Sequence, residues 1–385
     1  MHLPQGPGAE LREAMAAPRT PRKPPRPPKP GTLLRVAAWL CIACLGAAAS
    51  AQQPAPGPCR PGNSTPFATL DRIHVRDEFR IVYAVTGPHA LPDPRDLNAN
   101  GVPDKVEDVA TQLVAGRRLF SEVMGLVAPL QQPRYAQATA IDVFLLKMEK
   151  RNGLAYDEVV NYRLGFDGAG GRCALRIDLL NSRPNQNPTP LHELFHLHQY
   201  GYTMFKARWF LEGTARWAEY ALRPGSGPQQ PLPPSPGALQ AALFDTTYAA
   251  SHVWNRLAFL LDPVGRMRLP PDLENLRYVD GTRVVHDDEL HGAAFMKALL
   301  ESLASLARDV SARQGWPAFQ WKEADQRSAQ HDAQMFKKIQ DVVRIEARRT
   351  NAVGTAYAGE LEAFLALVPE PPSPASQKDK PDEPE

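Results

Sequence analysis

The chain has few cysteines, no excess of charge of either sign and no long apolar run. Only 4 of its 385 residues are cysteine, which excludes a small fold held together by several disulfides. Its 44 basic and 42 acidic residues leave a net charge of +2, and after position 60 the two signs are interspersed. Without a basic patch, nucleic acid is not an expected partner. A hydrophobic content of 43% is typical of a globular chain with a sizeable core.

The main apolar segment, 33–49, is shorter than the roughly 20 residues of a membrane-spanning helix. It follows a leader rich in proline, arginine and lysine and ends at the small residues Ala49, Ser50 and Ala51. This pattern predicts a signal peptide cleaved after Ala51, a mature chain without a transmembrane span, and a secreted or periplasmic location. An uncleaved anchor is the alternative, and Met15 is an alternative start.

Two of the four cysteines, Cys41 and Cys44, belong to this leader. Cys59 and Cys173 remain in the mature chain, where an oxidising compartment would allow one disulfide. The sequence leaves open whether the two residues meet in the fold.

The predicted secondary structure changes along the mature chain from strands to helices. β-branched and aromatic residues predict strands at 79–86, 140–148 and 174–180, and apolar residues at helical spacing predict a helix at 106–126. After position 238 the pattern is mostly helical, with segments near 248–261, 292–313 and 325–347. The predicted regions are a leader at 1–51, a linker at 52–66, one domain at 67–368 and a disordered tail at 369–385. Within the domain, a sheet half at about 67–188 precedes two helices at 189–222 and a helical half at 238–368.

Two histidines one helical turn apart stand in the sequence His-Glu-Leu-Phe-His. His192 and His196 lie on one face of a helix, so both imidazoles can bind one zinc ion. Glu193 lies beside them, placed to take a proton from water and pass it to a departing amine. Such a motif also arises by chance, but here Thr189 is a suitable N-cap and Pro190 suits the first helical position.

A third ligand is expected on a second helix, predicted at 208–222. Glu212 lies 16 residues after His196 and completes the set of two histidines and one carboxylate typical of catalytic zinc. Glu219, on the same helical stripe as Glu212, is expected to accept a hydrogen bond from a ligand histidine, and it is also the alternative third ligand. His198 is expected to point away from the metal. The first helix is expected to end near Gly201, a residue that tolerates a left-handed C-terminus.

A second metal-binding pattern lies between Asp96 and Glu107, which fit the calcium loop D-x-[DN]-x-[DN]-G-x5-E. Gly101 permits its sharp turn. Prolines before the loop argue against an entering helix, so the loop is interpreted as half an EF-hand with a structural role. The alternative is an Asx-rich turn that caps the next helix. The expected ligands are the side chains of Asp96, Asn98, Asn100, Asp104 and Glu107 and the backbone carbonyl of Val102.

The chain resembles the gluzincin metallopeptidases over about residues 79–261. The metal motif with Gln199 and the segment 209–219 carry this resemblance. The combination with 79–83 and the calcium-type loop is similar to a set of bacterial sequences regarded as secreted metallopeptidases. The resemblance implies that His192, His196 and Glu212 bind zinc and that Glu193 is the general base.

The resemblance and the order of elements together imply an α+β, zincin-like fold. It would consist of an N-terminal mixed sheet with helices, an active-site helix and a mostly helical C-terminal half. Gluzincins also use a downstream Tyr or His to stabilise an oxyanion. Tyr248 is the first candidate for this role, His252, His286 and His291 are alternatives, and a tyrosine that only packs is a further reading.

Three functions fit these patterns. The first is an exported zinc peptidase that hydrolyses peptide or protein substrates and holds a structural calcium ion. The second is a zincin-fold binding or scaffold protein of the cell exterior that keeps the metal without turnover. The third is a surface-anchored, calcium-dependent interaction module with an incidental zinc motif. The intact Glu193 favours the first, because a protein without turnover has no need of a base.

Overall fold

A six-stranded mixed sheet occupies the N-terminal half of the described chain, and helices make up most of the rest. The computed structural model describes residues 59–168, 171–352 and 357–371. The predicted leader with its cleavage site after Ala51, the first part of the predicted linker at 52–66 and most of the predicted tail at 369–385 lie outside these residues.

The sheet has three parallel central strands and antiparallel neighbours on both sides. The strands are β1 (Arg60–Pro61), β2 (Arg72–Arg76), β3 (Phe79–Tyr83), β4 (Ala140–Leu146), β5 (Gly153–Asn161) and β6 (Ala174–Leu180). Their spatial order is β1-β5-β6-β4-β3-β2. β3, β4 and β6 run parallel, β2 is antiparallel to β3, β5 is antiparallel to β6, and β1 pairs with β5 at the edge.

The three predicted strands are confirmed as β3, β4 and β6, the first two shorter than expected. The expected order of strand, helix, strand, strand was wrong, because β1, β2 and β5 were not predicted. β5 mixes buried, half-buried and exposed positions without regular alternation, so it lacks the period-2 pattern that marks a strand. β1 lies inside the segment predicted as a linker.

Helices dominate the chain after β6. The helices of the described ranges are α1 (Asp104–Arg118), α2 (Thr189–Tyr202), α3 (Arg208–Ala218), α4 (Pro236–Leu239), α5 (Ser251–Leu261), α6 (Pro271–Glu274), α7 (Ala293–Gln314), α8 (Glu323–Gln326), α9 (Asp332–Arg349) and α10 (Ala358–Ala366). None of them has the length and hydropathy of a membrane span.

Several predicted helix boundaries needed correction. The helix expected at 106–126 is α1 followed by a π-helical turn at Leu119–Val123. The helix expected at 325–347 is divided into α8 and α9. Gly201 is helical and does not have a positive φ, because α2 continues to Tyr202. A Cβ at Gly201 would lie 2.6 Å from Gln132 Cγ, so the glycine there provides space rather than a left-handed turn.

Alternate side chains of the central strands divide the core in two. Ile81, Val143 and Ile177 face the helices and belong to the large main cluster. Val82 and Phe144 face the other side of the sheet and belong to a smaller second cluster. The other buried members of this second cluster are Phe67, Leu70, Ala84, Leu146, Val160, Tyr162 and Leu164.

α2 lies between the sheet and the C-terminal helices. It contacts β5, β6 and α1 from the N-terminal half and α3 and α7 from the helical half. Leu191, Leu194 and Leu197 are fully buried in the main cluster. Because α2 is packed on all these sides, its functional side chains are held on a rigid element.

A disulfide joins Cys59 to Cys173. Cys59 precedes β1 and Cys173 precedes the central strand β6, so the bond ties the first described residue to the sheet. The sequence left this pairing open, and the structure forms it.

Candidate metal centre

The start of α2 positions the metal motif. Pro190 lies in the first turn, where its missing N–H costs no hydrogen bond. Thr189, predicted as the N-cap, is instead the first helical residue, because the side chain of Asn187 two residues earlier accepts its backbone N–H at 3.0 Å. The shift of one residue leaves His192 and His196 one turn apart on the same helix.

The two predicted histidine ligands and Glu212 converge on one point. Glu212 Oε2 lies 3.2 Å from His192 Nε2 and 3.5 Å from His196 Nε2. His192 and His196 are buried, while the Glu212 side chain from α3 remains 17% exposed. Glu212 is therefore the most exposed of the three side chains.

These donor atoms fit a metal ion. Ligands about 2.0–2.1 Å from a tetrahedral zinc ion lie roughly 3.3 Å apart, close to the two distances found. Within the part of the chain that the structure describes, this is the group of three His, Cys, Asp or Glu side chains whose ligand atoms all lie within 4.8 Å of one another. The sequence-predicted ligand set is thus close enough to bind a metal.

The second ring nitrogen of each histidine has its own partner. His192 Nδ1 lies 2.9 Å from Glu219 Oε1, which is the contact expected of Glu219. His196 Nδ1 lies 2.6 Å from Gln199 Oε1. Because both Nδ1 atoms are engaged, both Nε2 atoms are directed to the common point beside Glu212.

Gln199 was not predicted to support the site. Its amide nitrogen donates to Leu211 O at 3.0 Å and to Thr214 Oγ1 at 2.6 Å, so it connects α2 to α3 as well as orienting His196. Its position three residues after His196, on the same helical face, was the available signal. The same spacing argument applies to Tyr200, whose ring stacks on that of His196 with centroids 5.8 Å apart.

The surroundings of the three ligands stabilise positive charge. Burial opposes ionisation of Glu212, but the two histidines outweigh it and hold the pKa of Glu212 well below its usual range. Burial also opposes protonation of His192, yet hydrogen bonds with Glu212 and Glu219 raise its pKa well above the usual value. For His196 the opposing burial is outweighed by Glu212, which raises the pKa. A site that favours a proton so strongly also suits a metal cation, since both need electron-rich ligand atoms.

Glu193, the expected base, is buried on α2 against strand β5. A Cβ on Gly153 would lie 2.4 Å from Glu193 Oε1 and 2.7 Å from Thr189 Cγ2. Gly153 therefore lets the strand backbone approach the Glu193 carboxylate more closely than any other residue type would allow.

His198 lies away from the metal, as predicted. Its ring is fully buried, and its Nδ1 lies 3.1 Å from Val127 O. Burial lowers the pKa of His198 to about 3, so it is neutral and part of the core.

Tyr248 lies beside the metal group. Its ring centroid is 6.1 Å from that of His192, and the ring is half-buried. Among the alternatives, His291 is buried elsewhere, with Nδ1 2.7 Å from Asp262 O and Nε2 3.0 Å from Glu289 Oε1.

The loop from Asp96 to Glu107 folds back on itself. Gly101 has the positive φ of 88° that its position in the pattern requires. Asn98 Nδ2 donates to Glu107 Oε2 at 2.9 Å, and Asn100 Nδ2 donates to Glu107 Oε1 at 2.7 Å. Asp96 accepts the backbone N–H groups of Asn100 and Gly101. The remaining predicted ligands are Asp104, whose Oδ1 accepts Leu97 N–H, and Val102.

The described chain is thus a mixed α/β protein in which His192 and His196 on α2 and Glu212 on α3 form a group close enough to bind a metal. Comparison with protein-family models, with curated proteins and with solved structures finds no match to this chain.

Proposed function

We propose that the chain is an exported zinc peptidase of the gluzincin type with a zincin-like fold. The observation that carries the proposal is the convergence of His192, His196 and Glu212 on one point, with Glu193 on the same helix. Two histidines and one carboxylate leave a fourth position open for substrate or water, as in catalytic zinc sites. The placement of α2 between a mixed sheet and a helical half supports the zincin-like fold.

Zinc bound by these residues would polarise a substrate carbonyl and lower the pKa of water. Glu193 takes the proton from the attacking water and delivers it to the departing amine. Its burial against Gly153 restricts the carboxylate to a small volume, which favours correct positioning. Glu219 and Gln199 keep the two imidazoles in the tautomer that presents Nε2. Tyr248 is the proposed donor to the oxyanion, because its ring lies next to that of His192.

The test is a neutral-pH assay of purified, zinc-loaded protein on a mixture of peptides. The wild type should cleave peptide bonds, and Glu193→Gln should lower the rate about 10²- to 10⁴-fold while zinc content stays near one per chain. Elemental analysis identifies the metal, and His192→Ala should remove it.

The runner-up, a zincin-fold scaffold protein without turnover, predicts bound zinc and no cleavage. If the zinc-loaded wild type cleaves nothing, or Glu193→Gln cleaves equally well, the peptidase proposal is wrong. If carefully prepared protein holds no zinc, both proposals are wrong.

We further propose that the loop from Asp96 to Glu107 binds a structural calcium ion. The support is its folded-back shape, which brings Glu107 next to Asn98 and Asn100, as the ligand positions of an EF-hand loop require. Removal of calcium should lower the melting temperature of the wild type, because a ligand that binds only the folded state stabilises it. Asp96→Ala should be insensitive to calcium, and equal sensitivity of the two proteins would contradict the assignment.

A further inference from the structure

Arg216 is an exposed cation close to the group formed by His192, His196 and Glu212. It follows Glu212 by one helical turn on α3, so the two side chains lie on the same face of the helix. The Arg216 side chain is 41% exposed, against 17% for Glu212. A cation is therefore available to solvent one helical turn from a proposed metal ligand.

An aromatic ring holds this guanidinium in place. Arg216 Cζ lies 5.2 Å from the centroid of the Tyr248 ring, within the range of a cation–π contact. The Tyr248 ring also lies near His192, with centroids 6.1 Å apart. Tyr248 thus places Arg216 at the same side of the site as a metal ligand.

Glu219 occupies little of the hydrogen-bonding capacity of Arg216. Its Oε1 lies 2.9 Å from His192 Nδ1, and its Oε2 lies 3.0 Å from Arg223 Nη2. Arg216 Nη1 is farther away, at 3.4 Å from both oxygens. Among the described residues no other hydrogen-bond acceptor is found for Arg216, so the contact with Glu219 uses only one of its three guanidinium nitrogens.

Arg216 shares its carboxylate partner with a second arginine. Two arginines, Arg216 and Arg223, face one buried carboxylate, Glu219. A planar guanidinium matches a carboxylate with two parallel hydrogen bonds. An exposed and oriented guanidinium beside a hydrolytic site is suited to bind a carboxylate of the substrate.

We propose that Arg216 is a specificity-determining residue that binds a substrate carboxylate close to the scissile bond. The inference rests on the proposed peptidase function and adds its substrate class. The carboxylate belongs either to the C-terminus of the peptide or to an Asp or Glu side chain. Both have the same chemistry, and the two arms of the experiment separate them.

The first arm compares N-acetylated tri-alanine as the free acid and as the C-terminal amide. The second compares amidated, otherwise identical peptides that contain Glu or Gln. Binding is measured by calorimetry on zinc-loaded Glu193→Gln protein, and cleavage is measured on the wild type with the corresponding randomised peptide mixtures. Each measurement is repeated in Arg216→Gln, in Arg216→Lys and in a matched control, Arg308→Gln, which changes an exposed arginine on α7.

In one of the two arms the peptide with the carboxylate should bind about tenfold more tightly than its neutral partner, as expected for one added ion pair. The arm that shows this preference identifies the source of the carboxylate. Arg216→Gln should abolish the preference, mainly through KM, Arg216→Lys should restore part of it, and Arg308→Gln should leave it unchanged.

Equal binding of charged and neutral peptides in both arms overturns the inference. An equal loss of binding for all peptides in Arg216→Gln also overturns the inference, because that result means that Arg216 acts only by positioning Glu219. If nothing is cleaved, the peptidase proposal fails by itself, and the calorimetric preference still decides whether Arg216 recognises a carboxylate.

Discussion

His192 and His196 are each fixed by a side chain that does not contact the proposed metal. Glu219 begins the 3-10 turn Glu219–Ala221 that follows α3, and Gln199 lies on α2. Each accepts a hydrogen bond from the Nδ1 of one histidine. The role of Glu219 could be predicted, because a carboxylate on the stripe of Glu212 has an obvious partner. Gln199 could not be assigned a role, since a glutamine has no charge to pair and its two contacts on α3 depend on how the helices pack.

Replacement of Glu219 by Gln should weaken metal binding. The amide oxygen still accepts from His192, but the negative charge that raises the basicity of the imidazole is lost, so zinc affinity should fall about 10- to 100-fold. Competition with a chelator measures the affinity. Glu301→Gln, a change at an exposed glutamate on α7, should have the wild-type affinity, and an unchanged affinity in Glu219→Gln would show that the contact is not needed.

Asp332 should make stability depend on pH. Burial, with a smaller contribution from Asp245, raises its pKa to about 7 against the opposing effect of a hydrogen bond donated by Trp209. Because the folded state then binds the proton more tightly than the unfolded state, the contribution of Asp332 to stability is lost as pH rises from about 4 to 7.

Asp332→Asn keeps an acceptor for Trp209 Nε1 and cannot ionise. Between pH 5 and pH 8 its free energy of unfolding should rise by about 1–3 kcal/mol relative to that of the wild type. Urea unfolding at both pH values measures this change. A constant difference between the two proteins at the two pH values would rule out a raised pKa for Asp332.

At the scale of elements, β5 was the main strand that the sequence did not predict. Its outer positions are half-buried because it pairs with β6 on one side and with β1 only at its end. Strands inside the sheet, such as β4, are buried on both faces and have continuous apolar sequences. Strands that are buried on both faces could therefore be predicted from their apolar sequences. The burial of β5 instead depends on neighbouring strands that are distant in sequence.

Gly153→Ala tests the contact between β5 and α2. The new Cβ would lie 2.4 Å from Glu193 Oε1, so the carboxylate must move, and we expect a loss of stability of about 1–3 kcal/mol and at least about tenfold slower cleavage. Zinc content should stay unchanged, because the three ligands are not touched. Gly165→Ala is the matched control, since nothing lies within 4 Å of its Cβ; equal effects of the two changes would contradict the contact.

At the scale of the whole molecule, the disulfide closes a segment of 114 residues that contains most of the sheet. Such a bond stabilises mainly by limiting the freedom of the unfolded chain. The cysteines themselves were visible in the sequence, but their pairing was not, because it depends on β1 and β6 lying in one sheet.

Replacement of both Cys59 and Cys173 by serine should lower the free energy of unfolding by about 2–4 kcal/mol. Denaturant unfolding of the oxidised wild type, the reduced wild type and the double variant measures the effect. Reduction should destabilise the wild type to nearly the level of the variant and should not affect the variant itself. A wild type that is insensitive to reduction would show that the bond adds nothing.

The three proposed zinc ligands and Glu219 all belong to the segment from His192 to Glu219, whose ends are only 27 residues apart. Bringing the ends of such a short segment together costs little entropy compared with assembling the whole sheet. A chain that has formed only α2 and α3 already contains all three proposed zinc ligands, His192, His196 and Glu212. Zinc can therefore bind before the fold is complete. Since an ion that also binds partly folded chains stabilises the native state by less than its affinity suggests, we expect added zinc to raise the melting temperature by less than its measured affinity predicts.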